Sequence, residues 1–167
     1  MTAPSLPDAE ELLAALTAQM RPHVTAQTGL VGIVTGGAWL AERLHRELRL
    51  EVPLGSLDVS FYRDDFQHKG LKHQVSPSAI PFEVEGRDLI LIDDVLYTGR
   101  TIRAAMNELF DYGRPASIRL AALVDRGGRE LPIAAQFVGT VLALPAQSNI
   151  ELKRDAHGRL SLALQQP

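Results

Sequence analysis

The first periodic signal is Leu12, Leu16 and Met20 at helical spacing, widened by Leu13. Asp8 and Glu11 before it read as a D-x-x-E capping box, which predicts a helix running to about Thr25. Leu30 to Val34 is a short apolar run ending in Thr35-Gly36-Gly37, a buried strand and a tight turn. Helical spacing resumes over Ala38 to Leu48 through Leu40, Leu44 and Leu48. Leu54 to Tyr62 predicts a second strand, with Leu57, Val59 and Phe61 alternating against Asp58 and Ser60. Arg63 to Ser78 is polar and aperiodic, a long loop of the kind that often carries function. Ile80 to Val84 reads as an edge strand because of Pro81.

Leu89 to Ile92 is continuously apolar, as a strand buried on both faces of a parallel sheet is. Thr101 to Tyr112 is helical, with Ile102, Met106, Leu109 and Phe110 as the inner face and Gly113 as the stop. Ser117 to Val124 and Phe137 to Leu142 add strands, and Ile150 to Leu164 reads as a hairpin turning near His157-Gly158. Strands alternating with helices predict an α/β fold around a mainly parallel sheet. Ligands in such sheets bind beyond the carboxyl ends of the strands, where the Gly36 and Asp93 loops fall.

At 167 residues, 46% hydrophobic and 22% charged, the chain suits a single soluble domain over residues 1–167. A net charge of -3 provides no global attraction to nucleic acid. With no cysteine, the described chemistry cannot include disulfides or thiol catalysis. The N-terminal MTAPSLPDAEELLAAL lacks the basic start and apolar run of a secretory signal, and no stretch approaches the roughly 18 to 20 apolar residues of a membrane span. A cytoplasmic protein with no membrane partner is expected.

The chemistry concentrates in LILIDDVLYTGRT, residues 89–101. Two adjacent carboxylates, Asp93 and Asp94, follow a buried strand, where repulsion and lost hydration demand a compensating hydroxyl donor or cation. Four residues on, Thr98-Gly99-Arg100-Thr101 opens a helix, whose free N–H groups and dipole favour an anion. Gly99 lets the backbone come close to that anion, and Thr98 and Thr101 add hydroxyls. Acids at one end and a phosphate cradle at the other describe a sugar-phosphate site.

This segment resembles the signature of the type I phosphoribosyltransferases, which bind 5-phosphoribosyl 1-pyrophosphate (PRPP): apolar residues, two acids, a spacer, then T-G-[KR]-T. Together with Tyr62-Arg63-Asp64-Asp65, Gly113-Arg114-Pro115 and Leu123 through Pro132, it looks like the branch that regulates pyrimidine biosynthesis (pyr) operons and also makes UMP from uracil. The resemblance runs from about Leu30 to Leu142. It implies the type I phosphoribosyltransferase fold, with helices flanking the sheet, a flexible active-site loop and a C-terminal hairpin. It implies PRPP, uracil and UMP as ligands, Mg²⁺ bound mainly through PRPP with no certain protein ligand, and a homo-dimer or homo-tetramer.

Residue by residue, the resemblance gives Asp93 and Asp94 the ribose hydroxyls and a catalytic part shared with Arg63. It gives Thr98, Gly99, Arg100 and Thr101 the 5'-phosphate. Thr35, Gly36 and Gly37 fall on the family's pyrophosphate loop, with Arg63, Lys69 and Lys72 arriving from the closing loop. Val124, Asp125 and Arg126 fall near uracil. Members of this branch commonly read Thr-Arg-Gly at the pyrophosphate loop, so Gly36 removes a cation; Gly128 likewise replaces a histidine. Tyr97 stands where purine enzymes usually place an acid, which argues against a purine base. Leader RNA of the pyr operon is the further partner implied, with Arg119, Arg126 and Arg129 as candidate contacts. The alternative is a nucleotide-sensing regulator with little catalysis and no direct RNA contact.

Two other readings of the acids fail. A receiver domain needs an acceptor aspartate some tens of residues later, and no aspartate lies between Asp125 and Asp155. A P-loop needs G-x-x-x-x-G-K-[ST], and no lysine lies near either glycine turn.

Overall fold

The computed structural model describes residues 5–59 and 78–165. Five parallel strands form the central sheet: β1 (Gly29–Ile33), β2 (Gly55–Leu57), β3 (Asp88–Leu96), β4 (Ser117–Asp125) and β5 (Phe137–Val141), in the order β2-β1-β3-β4-β5. The long apolar run of residues 89–92 therefore occupies the centre, between β1 and β4. Alternation along these strands divides the core in two. Leu30, Ile90, Ile92, Ala121 and Leu123 face one side, where α1 (Ala9–Met20) and α2 (Gly36–Glu47) cover them. Val31, Ile33, Leu89, Leu91, Leu120 and Ala122 face the other, beneath Ile102, Ala105 and Leu109 of α3 (Arg100–Phe110). This is the expected α/β architecture with helices on both faces.

Several boundaries differ from those read along the chain. Helix α1 stops at Met20 and tightens into a 3-10 turn over Arg21–His23, because Pro22 cannot continue the α-helical hydrogen bonding. The Gly36-Gly37 pair is the first turn of α2, not a loop before it. Strand β3 continues through Asp93 and Asp94 to Leu96, paired with β4 as far as Leu96↔Asp125. Residues 80–84 form no strand; the preceding residue, Ala79, makes an isolated bridge with Ser56 through backbone hydrogen bonds of 2.8 and 2.9 Å. Phe110 is 56% exposed, because it lies about 100° around the helix from Leu109, off the 102/105/109 stripe. The loop expected over Arg63–Ser78 lies outside the described residues except for Ser78, whose hydroxyl donates to Glu108 of α3 at 2.6 Å.

The C-terminal hairpin joins β6 (Asn149–Arg154) and β7 (Leu160–Gln165). Asp155 shapes its turn by accepting the His157 and Arg159 N–H groups at 2.8 and 2.9 Å. Among the described residues no helix is long and apolar enough to cross a membrane.

One ionic cluster ties α1, α2 and the hairpin together. Asp8 caps α1 by accepting the Glu10 N–H at 2.8 Å, while Glu11 is exposed and Glu10 turns toward Arg43. Arg43 donates to both Glu10 oxygens at 2.7 and 3.2 Å, and Glu10 also accepts the Leu160 N–H at 3.2 Å. The Arg43 hydrogen bond outweighs partial burial and, with the Leu160 N–H and the charges of Arg43 and Arg159, holds the Glu10 carboxyl below its ordinary value. A carboxyl depressed in the folded state contributes stability above its unfolded value and loses it as pH falls through the folded one. Glu10→Gln is therefore expected to lower Tm near neutral pH, with the gap to the parent closing in acid; melting curves across pH check this, and an unchanged gap would refute it.

Candidate active site

The site forms where the carboxyl ends of β1, β3 and β4 open. Asp93 and Asp94 are 2% and 8% exposed, so both carboxylates are withdrawn from bulk water. Each is steadied by the next residue: Asp93 Oδ1 accepts the Asp94 N–H at 2.9 Å, and Asp94 Oδ1 accepts the Val95 N–H at 2.9 Å. The start of α2 presses directly against them. A β-carbon on Gly36 would overlap the Asp94 carboxylate, and one on Gly37 would overlap the Ile92 carbonyl oxygen. Thr35 is exposed beside this contact, and the Val34–Thr35 peptide is cis. The structure thus brings the Thr35-Gly36-Gly37 segment and the acid pair together.

Beyond Leu96 the chain turns through Tyr97 and Thr98 into α3. Gly99 caps that helix at φ 95, a left-handed conformation that disfavours a side chain, and a β-carbon there would stand 2.9 Å from Ile133. Thr98 is buried and its hydroxyl accepts the Arg100 N–H at 3.2 Å, which shapes the first turn. Its carbonyl accepts the Glu130 and Leu131 N–H groups at 2.9 and 3.2 Å. Thr101 is half-buried in the same turn. Arg100 is exposed, with Nε donating to Glu130 at 2.8 Å.

The third wall is the turn after β4. Val124 is a core residue with a fully buried side chain, and its backbone lies in the sheet opposite Val95 and Thr140. Burial alone would raise the Asp125 carboxyl. The 2.6 Å hydrogen bond from Arg129, the 3.0 Å bond from the Gly127 N–H and the Arg129 charge outweigh burial and hold it below the ordinary value. Arg126 is 5% exposed, and its guanidinium carbon lies 4.0 Å from the centre of the Tyr97 ring. Its Nη atoms donate to the Asn149 side chain at 3.3 Å and the Pro145 carbonyl at 3.1 Å. The side chain placed by sequence near uracil is therefore directed toward the hairpin. Arg63, Lys69 and Lys72 lie outside the described residues.

Reading along the chain missed the joining role of Arg129, Glu130 and Asn149. Arg129 was a candidate surface contact, yet it is partly buried and bonds Tyr97, Asp125 and Ile133. The four-residue spacing from Asp125 was visible, but the segment has no helical period that would have paired them.

A model of the phosphoribosyl transferase domain matches residues 5–150. The chain belongs to the phosphoribosyltransferase family. Within it, the chain is 55% identical over 153 residues to the Bifunctional protein PyrR of Pseudomonas aeruginosa (strain LESB58), covering 89% of each. The PyrR of Pseudomonas fluorescens is 50% identical over 162 residues, covering 95% of this chain and 96% of its own. Among solved phosphoribosyltransferases, the hypoxanthine-guanine enzyme of Bacillus anthracis superposes with a TM-score of 0.66 at 18% identity, over 85% of both chains. A hypoxanthine enzyme of Staphylococcus aureus gives 0.66 at 21% identity, over 88% of this chain and 80% of its own. These two likenesses establish the type I phosphoribosyltransferase fold expected from the signature, and nothing about the base.

Gly127 and Gly128 provide a matched test of the Tyr97 packing. Both have left-handed φ, 73 and 77, but a β-carbon at Gly127 meets open space while one at Gly128 would overlap the Tyr97 ring. Gly127→Ala should cost about 1–2 kcal/mol of backbone strain. Gly128→Ala should lower Tm further, with a changed tyrosine near-ultraviolet dichroism. Equal melting shifts would show that Tyr97 does not constrain position 128.

Proposed function

We propose that this protein regulates pyr operon expression by sensing uridine nucleotides and PRPP, and that it converts uracil and PRPP to UMP and pyrophosphate. The observation that carries the reading is the buried Asp93–Asp94 pair one short turn from the Gly99-capped start of α3. In this reading the acids are a polyol-recognition end and the helix start an anion end, the two ends that a ribose phosphate presents. The PyrR relatives, about half identical along nearly the whole chain, support the choice of a pyrimidine and of a regulatory role.

In this reading the α3 N-terminus and the Thr98 and Thr101 hydroxyls hold the 5'-phosphate, and Arg100 adds charge at the rim. Asp93 and Asp94 accept hydrogen bonds from the ribose hydroxyls. As the bond from C1 to pyrophosphate breaks, positive charge builds on the ribose, and two fixed carboxylates favour that charge more in a buried site than in water. A ring nitrogen of uracil forms the new bond to C1, and its proton passes to the departing pyrophosphate or to solvent. Backbone groups of residues 124–127 face the base. Thr35, Gly36 and Gly37 receive the pyrophosphate, joined by Arg63, Lys69 and Lys72.

In the same reading a divalent ion arrives with PRPP, and Asp93 and Asp94 are the acids at hand to it. When bound, Mg²⁺ neutralises the pyrophosphate leaving group. The operon's leader RNA belongs to the same proposal as a partner, as does a dimer or tetramer. Of the arginines considered for RNA, Arg119 is exposed, while Arg126 and Arg129 are committed to internal bonds. The proposed compartment is the cytoplasm, where PRPP and uracil are made and used.

Purified protein given PRPP, Mg²⁺ and uracil is expected to form UMP; no detectable UMP sinks the enzyme reading and leaves a nucleotide-sensing regulator. Asp93→Asn combined with Asp94→Asn should reduce kcat/KM by about 100-fold or more and remove PRPP protection against heat. Undiminished protection would refute the ribose assignment. A gel shift with the leader RNA should strengthen with UMP, and UMP-independent or absent binding removes RNA attenuation.

A further inference from the structure

Strands β3 and β4 remain paired to Leu96↔Asp125, and the Arg126 N–H extends that pairing by donating to the Leu96 carbonyl at 3.0 Å. There the two chains part. Tyr97 leads into the Thr98–Thr101 turn, and Gly127 leads away toward residues 128–133. Arg129 crosses the divergence. Arg129 donates from Nη1 to the Tyr97 carbonyl at 2.8 Å, from Nη2 to Asp125 Oδ2 at 2.6 Å, and from Nε to the Ile133 carbonyl at 2.7 Å. The three acceptors lie on three segments, and Ile133 is also the residue that packs against Gly99. A guanidinium spans such a set because its donors are fixed in a planar fork; a lysine ammonium, with one nitrogen, does not.

We propose that Arg129 is a positioning residue that sets the separation between the phosphate turn at Thr98–Thr101 and the base-facing turn at Asp125–Gly127. This rests on the assignment of those two turns made above. If they take opposite ends of one nucleotide, their separation governs a ligand that spans both and matters little to a ligand that fills one. A linked ligand gains from its second contact only when the spacing lets both engage. Loss of Arg129 thus acts on the coupling of two half-sites while each half-site keeps its own groups. Nearby interactions point the same way: Glu130 and Leu131, next in sequence, donate to the Thr98 carbonyl, and Asp125 keeps the Gly127 N–H.

The test is calorimetric titration of UMP and of ribose 5-phosphate into the parent, Thr101→Ala, Arg129→Met and Arg129→Lys, each well below its melting temperature. Thr101→Ala should weaken both ligands in parallel, since both carry the 5'-phosphate. If it weakens neither, the phosphate assignment fails, and this inference with it. With Thr101→Ala behaving as expected, Arg129→Met should weaken UMP by about tenfold or more and ribose 5-phosphate by less than about threefold. Arg129→Lys should resemble Arg129→Met because it loses the fork while keeping the charge. A merely structural role would reduce the fraction of folded protein, which lowers the titration stoichiometry for both ligands and leaves the ratio of their affinities unchanged. An unchanged ratio, whether both affinities fall or neither does, overturns the proposal. Should Arg129→Met not fold, Arg129→Lys and Arg129→Gln give the same ratio to measure.

Discussion

The structure is organised around two carboxylates held at the end of its central strand. Asp93 and Asp94 are nearly inaccessible, although burial of an ionised group is among the more costly things a fold can do. The cost is contained by position. Strand β3 is paired to β1 as far as Ile92 and to β4 through Leu96, so the backbone that carries the carboxylates is already fixed by β4. Helix α2 then closes over them at a distance that only glycine permits. Were Gly36 to carry a side chain, either the helix or Asp94 would have to move. Acid placement, the glycine pair and the helix start are one constraint expressed in three segments.

Much of this was legible along the chain because hydrophobic period reports burial directly. Leu89 to Ile92 announced a strand buried on both faces, and it lies at the sheet centre with helices on either side. The Ile150 to Leu164 hairpin and the Gly99-opened helix were equally visible. What failed was the inference that polarity ends an element. The acids are polar, yet β3 runs through them, because backbone pairing to β4 does not depend on side-chain character. Glycines usually end helices, yet Gly36 and Gly37 open α2, because close approach to β3 matters more there than propensity. Phe110 was placed on the inner face with Ile102, Met106 and Leu109, whereas the buried stripe runs through Ile102, Ala105 and Leu109 and leaves Phe110 outside.

The candidate site divides in the same way. Residues contributed by one continuous motif, Asp93 to Thr101, could be found from spacing, because a strand, a turn and a helix start are local structure. Residues whose role depends on contacts between distant segments could not. Arg126 and Arg129 look alike in sequence, three positions apart in a glycine-rich turn. One lies under Tyr97 and reaches the hairpin, and the other bridges Tyr97 to Asp125. Which arginine takes which partner is decided by the divergence of β3 and β4, which no local pattern encodes.

The two departures from the usual branch pattern, Gly36 and Gly128, then acquire a common physical meaning. Counted as charges, each is a loss, of an arginine at one position and of a histidine at the other. Counted as volumes, each admits a neighbour: Gly36 admits the Asp94 carboxylate, and Gly128 admits the Tyr97 ring. With its ring against Gly128 and beneath it the Arg126 guanidinium, Tyr97 is held on the segment that leads into the Thr98–Thr101 turn. Substitution at either glycine is thus coupled to a particular neighbour more than to the loop's own conformation. An arginine introduced at position 36 would bring its charge only after Asp94 had shifted, so the cation and the acid pair cannot be treated as independent parts of the site.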